Sequence, residues 1–166
     1  MARLVLVGLP GVGKTTVARA LAREWGCGVF DTDDLLSQAV GRSAPEYLRQ
    51  EGVVAFRNAE LAALEVALNE DGVVATGGGV VTTSAARELL RAQVTLWLDC
   101  DDDVLKSRLG GVDRPLIGED VGAALALLRR ERATLYAEVA RVRIDASGQL
   151  VDVTKRARDA ASAVQA

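Results

Sequence analysis

Histidine is absent from the 166 residues of this chain, and that absence removes whole classes of chemistry. No imidazole base, serine–histidine dyad or histidine metal ligand can operate, so acid–base work falls to carboxylates or lysine. Cysteine is scarce. Cys27 and Cys100 stand alone, without the paired spacing of a zinc site or a disulfide framework, which fits reduced thiols in a cytosolic protein. The few aromatic residues (Trp 2, Tyr 2, Phe 2) are scattered, with no glycine–aromatic signature interleaved with basic residues. Net charge is −3, and the arginines form no basic run. Nucleic acid is therefore not an expected partner. Near the start only the short apolar run Leu4–Val7 precedes Gly8, too little for a signal peptide or a membrane span. The expectation is a soluble cytoplasmic protein without a membrane partner.

What is present is apolar residues, 49% of the chain, enough at this length to bury one core but short for two. One domain over residues 1–166 is expected. Short apolar runs at Leu4–Val7, Gly28–Phe30, Val73–Ala75, Val94–Leu98 and Val142–Ile144 alternate with helical periodicity around 17–25, 35–40, 53–68, 121–139 and 150–164. That alternation predicts a parallel sheet covered by helices on both faces. Leu4-Val5-Leu6-Val7 is continuously apolar, as a central strand buried on both faces should be. The stretch Leu109 to Gly118 lacks periodicity, is rich in glycine and reads as a mobile surface loop.

Gly8-Leu9-Pro10-Gly11-Val12-Gly13-Lys14-Thr15 follows the first strand and opens a helix, the context required of a G-x-x-x-x-G-K-[ST] phosphate loop. Its glycines let successive N–H groups point at phosphate oxygens, and the helix adds its positive N-terminal end. Lys14 supplies a cation for the β and γ phosphates, and Thr15 offers a hydroxyl to Mg²⁺. ATP and Mg²⁺ are the implied cofactors.

Two strand ends carry acids, Asp31-Thr32-Asp33-Asp34 and Asp99 with the aspartates after it. Either set could reach a crevice beyond the carboxyl ends of the strands, and either could simply cap the following helix. Capping needs one aspartate, so the spaced pair Asp31 and Asp33 is the favoured functional set.

On the helix near 53–68, positions 57, 61, 64 and 68 share one face, and all but Arg57 are leucine. Glu60 lies one turn from Arg57 and could brace it. Along 121–139, Val121, Leu125, Leu128, Leu135 and Val139 form a stripe with Arg132 in its middle, whereas Arg129 and Arg130 fall off it. A structural ion pair is the plain reading of Arg57. Two inward guanidiniums nevertheless suit an anionic ligand, and a carboxylate matches their planar fork. Gly77-Gly78-Gly79 after a strand is explained by close approach of backbone to a ligand or by a flexible turn. Arg114, in the glycine-bounded loop, could close over ATP as part of a lid or remain merely solvated.

Taken in order, GLPGVGKTT, the DTD at Asp31–Asp33, FRNAE at Phe56–Glu60, GGG, DRPL at Asp113–Leu116 and RATLY at Arg132–Tyr136 resemble the shikimate kinase family over nearly the whole chain. The resemblance implies a three-layer α/β/α P-loop kinase fold with a five-stranded parallel sheet. It further implies a phosphate loop at 8–16, a helical substrate-binding region at about 32–62 and a mobile lid at about 109–119. Asp33 would bind shikimate hydroxyls and assist proton removal, while Arg57, Gly77, Gly78, Gly79 and Arg132 would hold the substrate and its carboxylate. Asp31 would act on Mg²⁺ through water alongside Thr15. Gly11, Val12, Gly13, Lys14, Thr15 and Thr16 would cradle ATP, with Arg114 near its phosphates and Arg108 near adenine. The implied activity is ATP-dependent phosphorylation of shikimate to 3-phosphoshikimate, on the route to chorismate and aromatic amino acids, by a monomer.

Three departures from the family pattern stand out: Val53 where glutamate is common, Thr134 where proline is usual, and Gln149 near a position where some members direct arginine at the nucleotide. Gluconate kinase and nucleoside monophosphate kinases share the loop, sheet and lid. A nucleotide-dependent switch is the alternative outside enzymes, although the guanine-reading N-K-x-D pattern is lacking.

Overall fold

The computed structural model describes residues 1–109 and 120–165. Five strands form one sheet: β1 (Leu4–Val7), β2 (Gly28–Asp31), β3 (Gly72–Ala75), β4 (Thr95–Asp99) and β5 (Val142–Asp145). Their order is β2-β3-β1-β4-β5, with every pairing parallel. The continuously apolar β1 is central and wholly buried, and β3 and β4 beside it are buried throughout. The edge strand β5 instead alternates toward solvent. Parallel strands need crossover connections, and the helices that supply them cover both faces. The three-layer α/β/α fold expected above is the fold observed.

The helices are α1 (Lys14–Trp25), α2 (Thr32–Val40), α3 (Ala44–Asn69), α4 (Ser84–Arg91), α5 (Asp102–Leu109), α6 (Val121–Val139) and α7 (Leu150–Gln165), with a short 3₁₀ turn at Val80–Thr82. Helix α2 begins on an Asp31 cap, α3 on Ser43 and α6 on Asp120, each side chain accepting from a first-turn N–H. The stretch α3 is two helices joined at Gly52, whose φ of 83° breaks the helical run just before Val53. The periodicity from 53 onward therefore marks only its second half. Helices α4 and α5 went unread because each is short, with only two buried residues to signal a face.

The main core surrounds β1, β3 and β4, and a smaller cluster of Leu36, Ala44, Leu48, Phe56 and Ala63 packs α2 against α3. Helix α3 thus touches two cores, and its buried arc (Phe56, Glu60, Ala63, Leu64, Ala67, Leu68) is wider than a single stripe and turned from the one expected. Arg57 lies at its edge. Likewise the buried face of α6 runs Leu125, Leu128, Arg132, Tyr136 and Val139, so Tyr136 takes the place expected of Leu135. No helix among the described residues is long and apolar enough to cross a membrane.

Candidate active site

The loop after β1 turns through Gly11 (φ 82°) and Gly13 (φ 101°) into α1, conformations that side-chain-bearing residues rarely adopt. Gly13 provides no side-chain cap for α1, so the first N–H groups of that helix remain directed into the loop, ready for an anion. A cleft of about 440 Å³ opens there, lined by Pro10 to Val17, Asp31, Asp33, Thr76, Gly77, Gly78, Arg108 and residues of the β5–α7 turn. Lys14 is buried, and its Nζ donates to Gly8 O at 2.8 Å and Leu9 O at 3.0 Å. Those bonds fold the ammonium over the loop that it would share with phosphate.

The two sets of aspartates separate by their partners. Asp31 Oδ2 accepts from Thr15 Oγ1 at 2.5 Å, and its Oδ1 accepts from Asp33 N at 2.9 Å. Capping and a place in the cleft thus coexist in one residue. Asp99, only 3% exposed, is held by Arg129 at 2.7 Å and Arg143 at 2.5 Å. Arg129, which sequence spacing left off the buried stripe, also binds Asp102 and the Cys100 carbonyl. The β4 aspartates therefore serve an ion-pair network that ties α6 to the sheet.

Each glycine of Gly77–Gly79 leaves room for a different neighbour. A Cβ on Gly77 would stand 2.5 Å from Glu60 Oε1 and 2.9 Å from Asp33 Oδ1; one on Gly78 would stand 2.9 Å from Pro10 Cδ; one on Gly79 would overlap the Arg57 guanidinium. Close approach, rather than flexibility, accounts for the three glycines. Thr32 Oγ1 accepts from Gly77 N at 2.9 Å and joins this segment to the end of β2.

Arg57 pairs with Glu60 at 2.6 Å, with side-chain exposures of 15% and 2%. Burial raises the carboxyl pKa of Glu60 against the opposing pull of Arg57. Arg132 is 5% exposed, and its Nε is buried without a hydrogen-bond partner among the described residues. Arg57, Gly79 and Arg132 are not in the wall of the cleft: Arg57 lies against Gly79, and Arg132 is close to Glu60 and Tyr136. Tyr136 Oη donates to Gly78 O at 2.5 Å, and burial pushes the phenol up to about 12. Sequence reasoning assigned no role to Thr32 or Tyr136. The signals available for Tyr136 were its place at the end of RATLY and its position one helical turn from Arg132.

Arg108 bridges the phosphate loop and the β5–α7 turn, donating to Val12 O at 3.0 Å and Ala146 O at 3.1 Å. Gln149 is exposed, and its neighbours Gly148 and Leu150 line the cleft in its stead. Arg114 and the surrounding DRPL segment lie outside the described residues. No group of three or more potential acidic or thiol metal ligands occurs among the described residues.

Residues 10–162 match the family model described as shikimate kinase. A shikimate kinase of Frankia casuarinae is 42% identical over 151 residues, covering 90% of this chain and 67% of that protein. One from Corynebacterium efficiens is 38% identical over 143 residues, covering 85% of each. Among solved structures, a shikimate kinase from Acinetobacter baumannii in complex with shikimate superposes with a TM-score of 0.86 at 31% identity, covering 98% of this chain and 89% of that one. A gluconokinase from Sinorhizobium meliloti superposes with a TM-score of 0.66 at 18% identity, a likeness of fold alone.

Proposed function

The chain belongs to the shikimate kinase family, and from that premise we infer that it transfers the γ-phosphoryl group of ATP to the 3-hydroxyl of shikimate, giving 3-phosphoshikimate and ADP. The observation that carries this reading is the grouping of Asp33 and Glu60-braced Arg57 against Gly77–Gly79, next to the phosphate loop, with Arg132 close to Glu60 and to the Tyr136 that holds Gly78. Hydroxyl-seeking carboxylate and carboxylate-seeking guanidiniums meet there, which suits a hydroxylated acid.

Phosphoryl transfer asks little covalent chemistry of the protein, so positioning and charge carry most of the catalysis. Residues Gly11 to Thr16 cradle the phosphates, and Lys14 exchanges its bonds to Gly8 and Leu9 for phosphate oxygens. Asp33 orients the acceptor hydroxyl and accepts its hydrogen bond as the proton leaves. Arg57, Arg132 and the glycine segment hold the acceptor's carboxylate. Arg108 supports the adenine side, and Arg114 belongs to the lid near the phosphates. The Thr15–Asp31 pair presents hard oxygen donors suited to Mg²⁺. When bound, the ion neutralises charge on the β and γ phosphates. A cytoplasmic monomer with both cysteines reduced completes the reading.

The test is ADP release by the purified protein with ATP and Mg²⁺, offering shikimate, gluconate and nucleoside monophosphates in parallel. Turnover confined to shikimate is expected. Turnover with another acceptor would keep the phosphate chemistry and overturn the acceptor assignment.

A further inference from the structure

Helix α6 meets the glycine segment through one hydroxyl. Tyr136 is 1% exposed, its ring lies 5.8 Å from that of Trp97, and its Oη donates to Gly78 O at 2.5 Å. The Arg132 guanidinium, one turn earlier on the same helix, is near enough to pull the phenol pKa down against burial. Packing alone would not require the oxygen, since a phenylalanine ring would fill the same space.

The peptide unit concerned is unusual in having glycine on both sides. Without a Cβ on Gly78 or Gly79, the backbone angles of either peptide orientation are open to it, so its direction is set by its hydrogen-bond partner. The unit is also planar and trans, so the Gly78 carbonyl and the Gly79 N–H point in opposite directions. Anchoring the carbonyl on Tyr136 therefore aims the Gly79 N–H away from α6. Gly78 lines the cleft, and Arg57 packs against Gly79. A flipped peptide would present a carbonyl's negative end where two guanidiniums gather to meet an anion. The two preceding peptides are pinned independently, Thr76–Gly77 by the Gly77 N–H bond to Thr32 and Gly77–Gly78 by the Val80 N–H bond to the Gly77 carbonyl, so the Gly78–Gly79 unit is the one whose direction depends on Tyr136.

We propose that Tyr136 is a positioning residue for the acceptor: its hydroxyl holds the Gly78–Gly79 peptide so that an amide N–H, rather than a carbonyl, faces the acceptor's carboxylate. This rests on the shikimate reading above. The role concerns the carboxylate alone, so nucleotide binding and the transfer step are spared.

The experiment compares wild type with Tyr136→Phe for shikimate KM, kcat, ADP affinity and melting temperature, and measures binding of the neutral carboxamide analogue of shikimate by calorimetry. One misdirected hydrogen bond corresponds to a rise in shikimate KM of about five- to tenfold. The carboxamide affinity, kcat and ADP affinity are expected to stay within about twofold of wild type, the scatter of such measurements. An unchanged shikimate KM overturns the proposal. So does an equal loss for shikimate and its carboxamide, or a matching loss of ADP affinity, either of which marks a general packing role. Should Tyr136→Phe not fold, 3-fluorotyrosine placed at position 136, nearly the same size and a stronger donor, must lower the shikimate KM; no change under it is equally fatal. Wild type that leaves shikimate untouched refutes the acceptor assignment instead, and the two failures are told apart by that first measurement.

Discussion

Thr15 Oγ1 and Asp31 Oδ2 are joined by a 2.5 Å hydrogen bond, so the last turn of the phosphate loop is tied to the residue that caps α2. The phosphate-loop hydroxyl and the start of α2 thereby share one carboxylate. Replacing Asp31 with alanine removes a cap worth about 1 kcal/mol. It should also lower turnover about 10- to 100-fold with a raised Mg²⁺ requirement, as loss of a metal-orienting group does. Urea unfolding and a Mg²⁺ titration of ADP release measure the two effects separately.

Asp99→Ala should do the opposite. Two arginines lose their buried acceptor, at a cost of about 3 kcal/mol, near the lower end for broken buried pairs because Arg143 is 64% exposed. Turnover at temperatures where the variant stays folded should remain within a few-fold of wild type. A large loss of kcat without loss of stability would return the β4 aspartates to the chemistry.

Lys14→Ala removes the cation aimed at the transferring group, and turnover should fall by at least about 10³, the upper range for one preorganised charge. Its ammonium also donates to the Gly8 and Leu9 carbonyls of the loop, so a melting curve recorded beside the assay separates loss of chemistry from loss of loop stability. Near-normal ADP release would sink the phosphate-loop assignment.

Arg132→Ala should weaken acceptor binding by on the order of 10²-fold, the scale of truncating one partner of a buried charge pair. Nucleotide affinity should move far less. Calorimetric titrations with shikimate and with ADP decide this, and equal losses contradict a carboxylate role for Arg132.

Alkaline stability offers a test of Tyr136 that needs no substrate. Its folded pKa is raised from 10.0 to about 12, chiefly by burial, so between those values the native state holds a proton that the unfolded chain gives up. The stabilisation is present in full below pH 10 and lost as pH rises through 12. It amounts to on the order of 2–3 kcal/mol. Urea unfolding at pH 9, 10.5 and 11.5 should show the stability gap between wild type and Tyr136→Phe narrowing by about 2 kcal/mol over that range, most of the full effect. A constant gap would mean the phenol is not buried in solution.

The layered fold was legible because its signals are local. Four consecutive apolar residues in β1 announce burial on both faces, and the glycine pattern before Lys14 announces a loop that the next helix must follow. Elements with weak local signals were less so: α4 and α5 are short, and the first half of α3 is separated from the second by Gly52. Periodicity located the inward arginines 57 and 132 to within a residue of the true buried faces, yet it mistook Leu135 for Tyr136 because adjacent residues differ by only 100° around a helix.

What the sequence by itself determined is therefore periodic and local: five strands, the longer helices between them, the phosphate loop, and the residue types available to an acceptor. What only the tertiary structure decided is which polar groups meet. Asp31 and Asp99 both end strands and cannot be told apart by spacing. Their roles diverge because Asp99 finds Arg129 and Arg143, 30 and 44 residues away, whereas Asp31 finds Thr15. The three glycines were equally ambiguous until Glu60, Asp33, Pro10 and Arg57 were brought against them from α3, α2 and the phosphate loop. Local propensity carries the period of an element, while the partner of a buried charge is set by how separate elements pack, and that pairing determines whether a carboxylate holds the fold together or faces the cleft.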